Sequence, residues 1–199
     1  MSVSGPRALD LMPPAFAEGL DDWSRGDGTP DSPTWETAAD ARLARGDPDF
    51  GTCLELRRTG AVARLRYMGE LPVQRGAYLE VAARLKALRG PVPLAQVAAW
   101  PGGAGGAGVQ GLPQAGPLVR ICAYDAVTEI SAVIGPEAAR GVDLVWDARV
   151  LYAHVGLDLV GPEGGVLRIE SVRVRDVTAR FVPAGRVLPG FAAAAAEPS

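Results

Sequence analysis

His154 is the one histidine in the chain, so any relay that pairs a Ser or Cys nucleophile with an imidazole base has to use it. It stands beside Tyr152 on the polar parity of an alternating run, which is the pattern of a strand surface. Cys53 and Cys122 lie in apolar runs with no basic helix start nearby, the setting of buried thiols rather than of thiolate nucleophiles. Neither brings further ligands at the close spacing a metal site needs. Carboxylates remain. Asp21-Asp22, Asp125/Glu129, Asp143/Asp147 and Glu170 would serve a glycosidase or lyase if two of them met in one cleft, but their spacing singles out no pair.

Gly103-Ala-Gly105-Gly-Ala-Gly108 has the form of a dinucleotide-binding fingerprint behind a strand. Val109–Pro113 follows it and cannot open a helix, so no helix N-terminus is available for a phosphate and a flexible loop is expected. Arg25-Gly26-Asp27 and Arg45-Gly46-Asp47 are read as turns. Arg57-Arg58 and Arg64/Arg66 are read as solvated strand faces, and a net charge of −3 gives no electrostatic case for nucleic acid. Among the four tryptophans, Trp23 and Trp35 flank a long Gly/Asp/Pro loop and Trp100 opens the glycine-rich one. These three are the candidate glycan contacts, since an indole stacks on a sugar ring; Trp146 sits in an apolar strand and is assigned to the core.

The elements that would position these groups read as strands. Leu151, Ala153, Val155, Leu157 and Leu159 share one parity, then Gly161-Pro162-Glu163-Gly164-Gly165 turns the chain and Leu167 and Ile169 resume the alternation. Val172 and Val174 are out of phase with Ile169, so a bulge is expected near Ser171. The pair 148–159 and 166–177 is read as a hairpin. Further strands are expected at 34–37, 41–45, 52–57, 63–67, 77–88, 92–100, 118–123, 126–134 and 142–159, the last one broken. In 78–88, Leu79, Val81, Ala83 and Leu85 point inward and Glu80, Arg84 and Lys86 outward. A helix reading of that segment competes, since Ala, Leu, Arg and Lys are helix formers, but the apolar period of two and the Gly90-Pro91 turn favour the strand. The expectation is an all-β antiparallel β-sandwich, a jelly roll, with extended N- and C-terminal arms.

Residues 1–15 form the N-terminal arm, 16–182 the sandwich and 183–199 the C-terminal tail. Leu9, Leu11 and Met12 in the first, and Leu188 and Phe191 in the second, are apolar residues suited to docking on a partner. Nothing near Met1 resembles a secretory signal, and Val92–Trp100 has the length of a strand, not of a membrane span. Synthesis in the cytoplasm, with no membrane insertion, is therefore expected.

Phe16–Trp23, Tyr78–Trp100 and Val166–Val174 resemble the opening strand, central hairpin and closing strand of jelly-roll carbohydrate-binding modules attached to glycosidases. The resemblance spans residues 16–178. It implies glycan binding, and a structural calcium between an acidic residue near the first strand and an aspartate in the closing one. Glu18 matches the first position. Ser171 after Glu170 departs from the second, which counts against calcium, so no cofactor is expected. A cytoplasmically made jelly roll with apolar arms also resembles fibre or spike base proteins of tailed phages and phage-like gene transfer agents. That resemblance implies a homo-oligomer seated on a capsid or tail protein and holding a fibre protein, assembled into a virion-like particle. The function expected from the sequence is this non-catalytic adaptor at the base of a head spike or fibre. The alternatives are a carbohydrate-binding module for cell-surface or polymeric glycan, and a glycosidase or lyase using paired carboxylates.

Overall fold

The computed structural model describes residues 39–182, together with Phe16, Asp22, Trp23, the backbone of Ser24 and the backbone of Leu9–Asp10. Trp35, Leu11, Met12, Leu188, Phe191, Glu18 and the 34–37 strand lie outside the described residues, as does the side chain of Leu9. The strands run β1 (Leu9–Asp10), β2 (Trp23–Ser24), β3 (Ala39–Asp47), β4 (Gly51–Arg58), β5 (Val62–Tyr67), β6 (Leu71–Pro72), β7 (Leu79–Arg89), β8 (Leu94–Gly102), β9 (Val119–Arg120), β10 (Thr128–Gly135), β11 (Leu144–Val145), β12 (Tyr152–Val160) and β13 (Val166–Asp176). One helical turn, α1 (Thr178–Phe181), follows.

Among the described residues they make two sheets. The first has the order β11-β10-β7-β13-β4-β3, with β1 added on β13. The second has the order β2-β5-β12-β8-β9, with β6 added on β12. All pairings are antiparallel except β10 with β11. The facing sides close on one core: Leu54, Leu56, Val81, Leu85, Ile130, Ile169 and Val172 from the first sheet meet Leu65, Val97, Val155, Leu157 and Leu159 from the second. The fold is an all-β sandwich of the jelly-roll kind, as the alternation required.

The bulge is where the phase slip places it. Ile169 pairs with Leu85 and Ser171 with the next residue back, Arg84, so Glu170 is the extra residue, and Val172 and Val174 return to the core. The two expected hairpins are corrected. β12 lies in the second sheet and β13 in the first, and the same holds for β8 and β7. Each Gly/Pro turn carries the chain across the sandwich instead of folding it back in one sheet. Alternation fixes which side chains are buried, but either partner sheet satisfies it. The 142–159 run is broken into β11 and β12, and Leu151, just before β12, is 53% exposed. The 118–123 run keeps only Val119–Arg120 as strand. Cys53 is buried, whereas Cys122 is exposed beyond β9, a correction to its expected burial.

Lys86 is the larger correction. Its side chain is on the outer face of the first sheet, yet only 2% exposed. The turn after β3 curls over it. Asp47 ends that strand behind Gly46, whose φ of 73° suits glycine. The Asp47 Oδ1 accepts the backbone N–H of Asp49 (2.9 Å) and Phe50 (3.0 Å), which shapes the turn. Lys86 Nζ donates to Asp47 Oδ1 (3.0 Å) and Asp49 Oδ2 (2.7 Å), and Arg168 donates to Asp47 Oδ2 (2.6 Å). Arg168 and Arg42 both donate to Glu55, so one ion-pair row crosses β7, β13, β4 and β3. Burial alone would raise the Asp47 carboxyl; the hydrogen bonds from Arg168, Lys86 and the two backbone amides outweigh it and hold the group far below the usual carboxylate range.

Asp47 therefore contributes stability that is complete above its unfolded value of about 3.9 and is lost as pH falls through its lower folded value. Asp47→Asn should cost about 3 kcal/mol at pH 7, because Lys86 keeps only one carboxylate partner. It should also flatten the decline of stability below about pH 4. Urea denaturation from pH 7 to pH 2 reads both; equal slopes in the two proteins would refute the assignment.

Candidate functional site

The outer face of the second sheet is built on β5, β12 and β8, whose register sets out a grid. From one end, the rows are Val62–Val160–Leu94, Arg64–Asp158–Gln96, Arg66–Gly156–Ala98, His154–Trp100 and Pro72–Tyr152–Gly102. Every inward neighbour of these residues is in the core, so alternation alone delivers Trp100, Arg64, Arg66, Asp158, Gln96, Tyr152 and His154 to one surface.

Two rows are shaped by glycine. A Cβ on Gly156 would fall 1.9 Å from the Leu65 carbonyl oxygen, so β5 and β12 approach too closely for any other residue. A Cβ on Gly102 would strike the Tyr152 ring at 2.1 Å; that ring lies on the glycine opposite it. Tyr152 meets His154 edge to face, with centroids 5.7 Å apart. The His154 Nδ1 is 3.2 Å from the Gly69 carbonyl, a bond in which the ring N–H donates, leaving Nε2 as the acceptor nitrogen in the neutral ring.

Trp100 is half-buried at the centre, with the Arg64 guanidinium 5.0 Å and the Arg66 guanidinium 5.3 Å from its ring centroid. Arg64 is also held by Asp158 through Nε (2.8 Å) and Nη2 (3.0 Å). Arg66 differs. It is 9% exposed, its Nε is buried with no hydrogen-bond partner, and burial together with the like charge of Arg64 lowers its pKa. Reading Arg64/Arg66 as a solvated face missed this site. The available signal was Gly156, a glycine inside a strand, opposite Arg66.

Trp23, expected at a glycan surface, is instead 4% exposed, wedged between Phe16 (5.0 Å) and Tyr67 (5.3 Å). This corrects its placement: the sequence put it at a loop edge, but it belongs to the core. Trp146 is buried, as its apolar run implies, and its Nε1 donates to the Pro113 carbonyl (2.7 Å). The glycine-rich segment is tied to β8 through Ala99 and Gly116, which pair with the Gln114 and Val97 carbonyls, and contains only a 3-10 turn at Ala104–Gly106. It offers no helix start to a phosphate.

A separate cleft of 780 Å³ opens at one end of the sandwich, lined by Arg75, Tyr78, Glu137, Trp146, Asp147 and Leu151 among others. It brings Glu137 and Asp147 together, a pair the sequence did not suggest. Arg149 hydrogen-bonds Asp147 and holds that carboxyl below its usual range, the wrong direction for a general acid. Glu170 is bound by Arg84 (2.7 Å), and Asp143 accepts the Val133 amide (2.8 Å). With Glu170 so engaged, the closing strand does not fit the calcium role. Among the described residues, no group of three His, Cys, Asp or Glu side chains is placed to hold a metal ion. Nor is any described helix long and apolar enough to cross a membrane.

The chain matches no family model and no curated protein sequence. Solved structures do match. The CBM22-1 xylan-binding domain of Paenibacillus barcinonensis Xyn10C aligns with 87% of this chain and 98% of its own, at TM-score 0.58 and 10% identity. The fold is similar to that of carbohydrate-binding modules. A family 16 carbohydrate-binding module aligns over 82% of this chain and 97% of its own, with TM-score 0.51 and 14% identity. The enzymatically active domain of bacteriophage CBA120 tailspike protein 4 aligns over 79% of this chain, with TM-score 0.53 and 14% identity. There the chain spans only 20% of the tailspike chain's length.

Gly156→Ala should destabilise the protein by about 1–3 kcal/mol or more, because backbone atoms, not a flexible side chain, occupy the space. A thermal melt within one degree of wild type would show that β5 and β12 separate at little cost.

Proposed function

We propose that this chain is a non-catalytic attachment module that holds a glycan on the outer face of the β5–β12–β8 sheet. The observation that carries it is Trp100: a half-buried indole at the centre of a face whose hydrogen-bonding side chains are a tyrosine, a histidine, a glutamine, an aspartate and two arginines. A saccharide presents apolar C–H faces between rings of hydroxyls. An indole surrounded by hydrogen-bonding groups complements both parts. The likeness to carbohydrate-binding modules supports a sandwich that works through a sheet face, though at these identities it speaks for fold alone. A catalytic role is disfavoured because neighbouring basic groups hold Asp47, Glu55 and Asp147 ionised, whereas glycoside cleavage needs a carboxyl kept protonated.

A second reading makes the sandwich a structural adaptor, the base of a spike or fibre in a phage-like particle, as a homo-oligomer on a capsid or tail protein. The tailspike domain's likeness supports it, as does β1, where Leu9–Asp10 add to β13. Light scattering on the full chain and on a chain lacking residues 1–8 discriminates: oligomer lost on truncation supports the adaptor, and a monomer in both forms refutes it.

For the glycan reading, Trp100→Ala should weaken binding to an array-identified polysaccharide by about tenfold or more in isothermal titration, with the fold retained by circular dichroism. Absence of any binding on the array, or binding unchanged by Trp100→Ala, would overturn it.

A further inference from the structure

Among the described residues two arginines are buried, and their Nη groups are treated differently. Arg58 is 1% exposed, and its two Nη groups donate to the carbonyls of Gly60 (2.9 Å), Gly161 (2.8 Å), Ala61 and Pro162. Its charge is spread over backbone oxygens, and its work is to lock the turn between β12 and β13 to the turn between β4 and β5. The Arg66 side chain is about nine-tenths buried; its Nε is buried without a partner, as is that of Arg58, and no described acceptor takes its Nη groups. Its neighbours are the Trp100 ring and a second cation, Arg64, whose described carboxylate partner, Asp158, binds through Nε and Nη2 of Arg64 alone. A guanidinium does not shed its proton to escape such a place. Its five donors are fixed in a planar fork that matches an oxyanion, and on a polysaccharide the planar oxyanion is a carboxylate.

We propose that the glycan bound on this face is acidic, and that Arg66 takes the carboxylate of a uronic acid residue whose ring packs on Trp100. The proposal rests on the glycan reading above and narrows it to one chemical class. Summed over Arg64, Arg66 and Asp158, the centre of the face carries one net positive charge, against −3 for the whole chain. Half-buried Trp100 and Gln96, and the Arg64 side chain at 28% exposure, form the rim through which the carboxylate reaches Arg66. A sugar carboxylate stands on the ring carbon next to the ring oxygen. A ring lying at the indole therefore carries it at its edge, where one in-plane orientation turns it toward β5 and Arg66.

The test measures binding of polygalacturonate, alginate and hyaluronan, each beside its carboxyl-reduced counterpart, to the full chain. Wild type should bind at least one acidic polymer at least tenfold more tightly than its reduced form, and should lose that preference as salt rises from 50 to 500 mM, roughly the range over which the screening length falls below contact scale. Arg66→Gln should abolish the preference while leaving the melting temperature unchanged or higher, since an uncompensated buried cation is removed. Arg66→Lys should restore only part of it. Equal binding of acidic and reduced polymers overturns the acidic assignment and leaves the glycan reading standing. Binding to neutral array glycans alone does the same. No binding to any polymer overturns both. A marked fall in melting temperature for Arg66→Gln, with the preference intact in Arg66→Lys, would make Arg66 a structural residue and refute its role as carboxylate ligand.

Discussion

Lys86 holds an ammonium 2% exposed on what alternation makes the outside of a sheet. An unpaired ion there would cost several kcal/mol, so the chain must bring a carboxylate to it. The turn after β3 does so with Asp47 and Asp49, and Asp47 also bridges Arg168, which faces Lys86 directly across the β13–β7 ladder. Two like charges in adjacent strands are thus converted into a chain of opposite ones that runs on through Glu55 to Arg42. The consequence is architectural. Around Lys86 the outer face of the first sheet is closed by its own ion pairs, with Lys86, Arg168 and Arg42 each matched by a carboxylate.

The opposite sheet is left in the reverse condition. Its outer face has a tryptophan at the centre, a tyrosine seated on a glycine, and an arginine whose buried Nε has no acceptor. Stability alone would not select such a surface, because an unsatisfied buried donor and two adjacent cations both work against folding. Strained or unsatisfied groups collect where a protein meets its ligand. The contrast with Arg58 lies in the Nη groups: those of Arg58 are taken by backbone carbonyls, while no described acceptor takes those of Arg66.

Much of this was legible in the sequence because a strand's pleat is a strict period of two. The phase slip between Ile169 and Val172 located the bulge at Glu170–Ser171, and the parity of Tyr152, His154 and Asp158 assigned them to an outer face. What the period does not encode is which sheet a strand joins, so two sheet crossings read as hairpins. Nor does it say what lies above an outer face. Lys86 and Arg66 both occupy outward positions in alternating strands, and each meets something distant in sequence: a turn some 39 residues earlier covers Lys86, and Arg66 packs against the Trp100 ring. Trp23 misled for a related reason. A tryptophan at a loop edge looks available, but Phe16 and Tyr67 enclose it.

The central claim is that the Trp100 face, and not the Trp146 end cleft or the charged face around Lys86, is where this molecule meets its ligand. The indole N–H signals of the four tryptophans report on it separately in a proton–nitrogen correlation spectrum. Titration with a bound acidic polysaccharide should move the Trp100 signal strongly and leave those of core Trp23 and of Trp146, bonded to Pro113, in place. A Trp146 signal that moves while Trp100 stays still would contradict the claim and transfer the site to the end cleft.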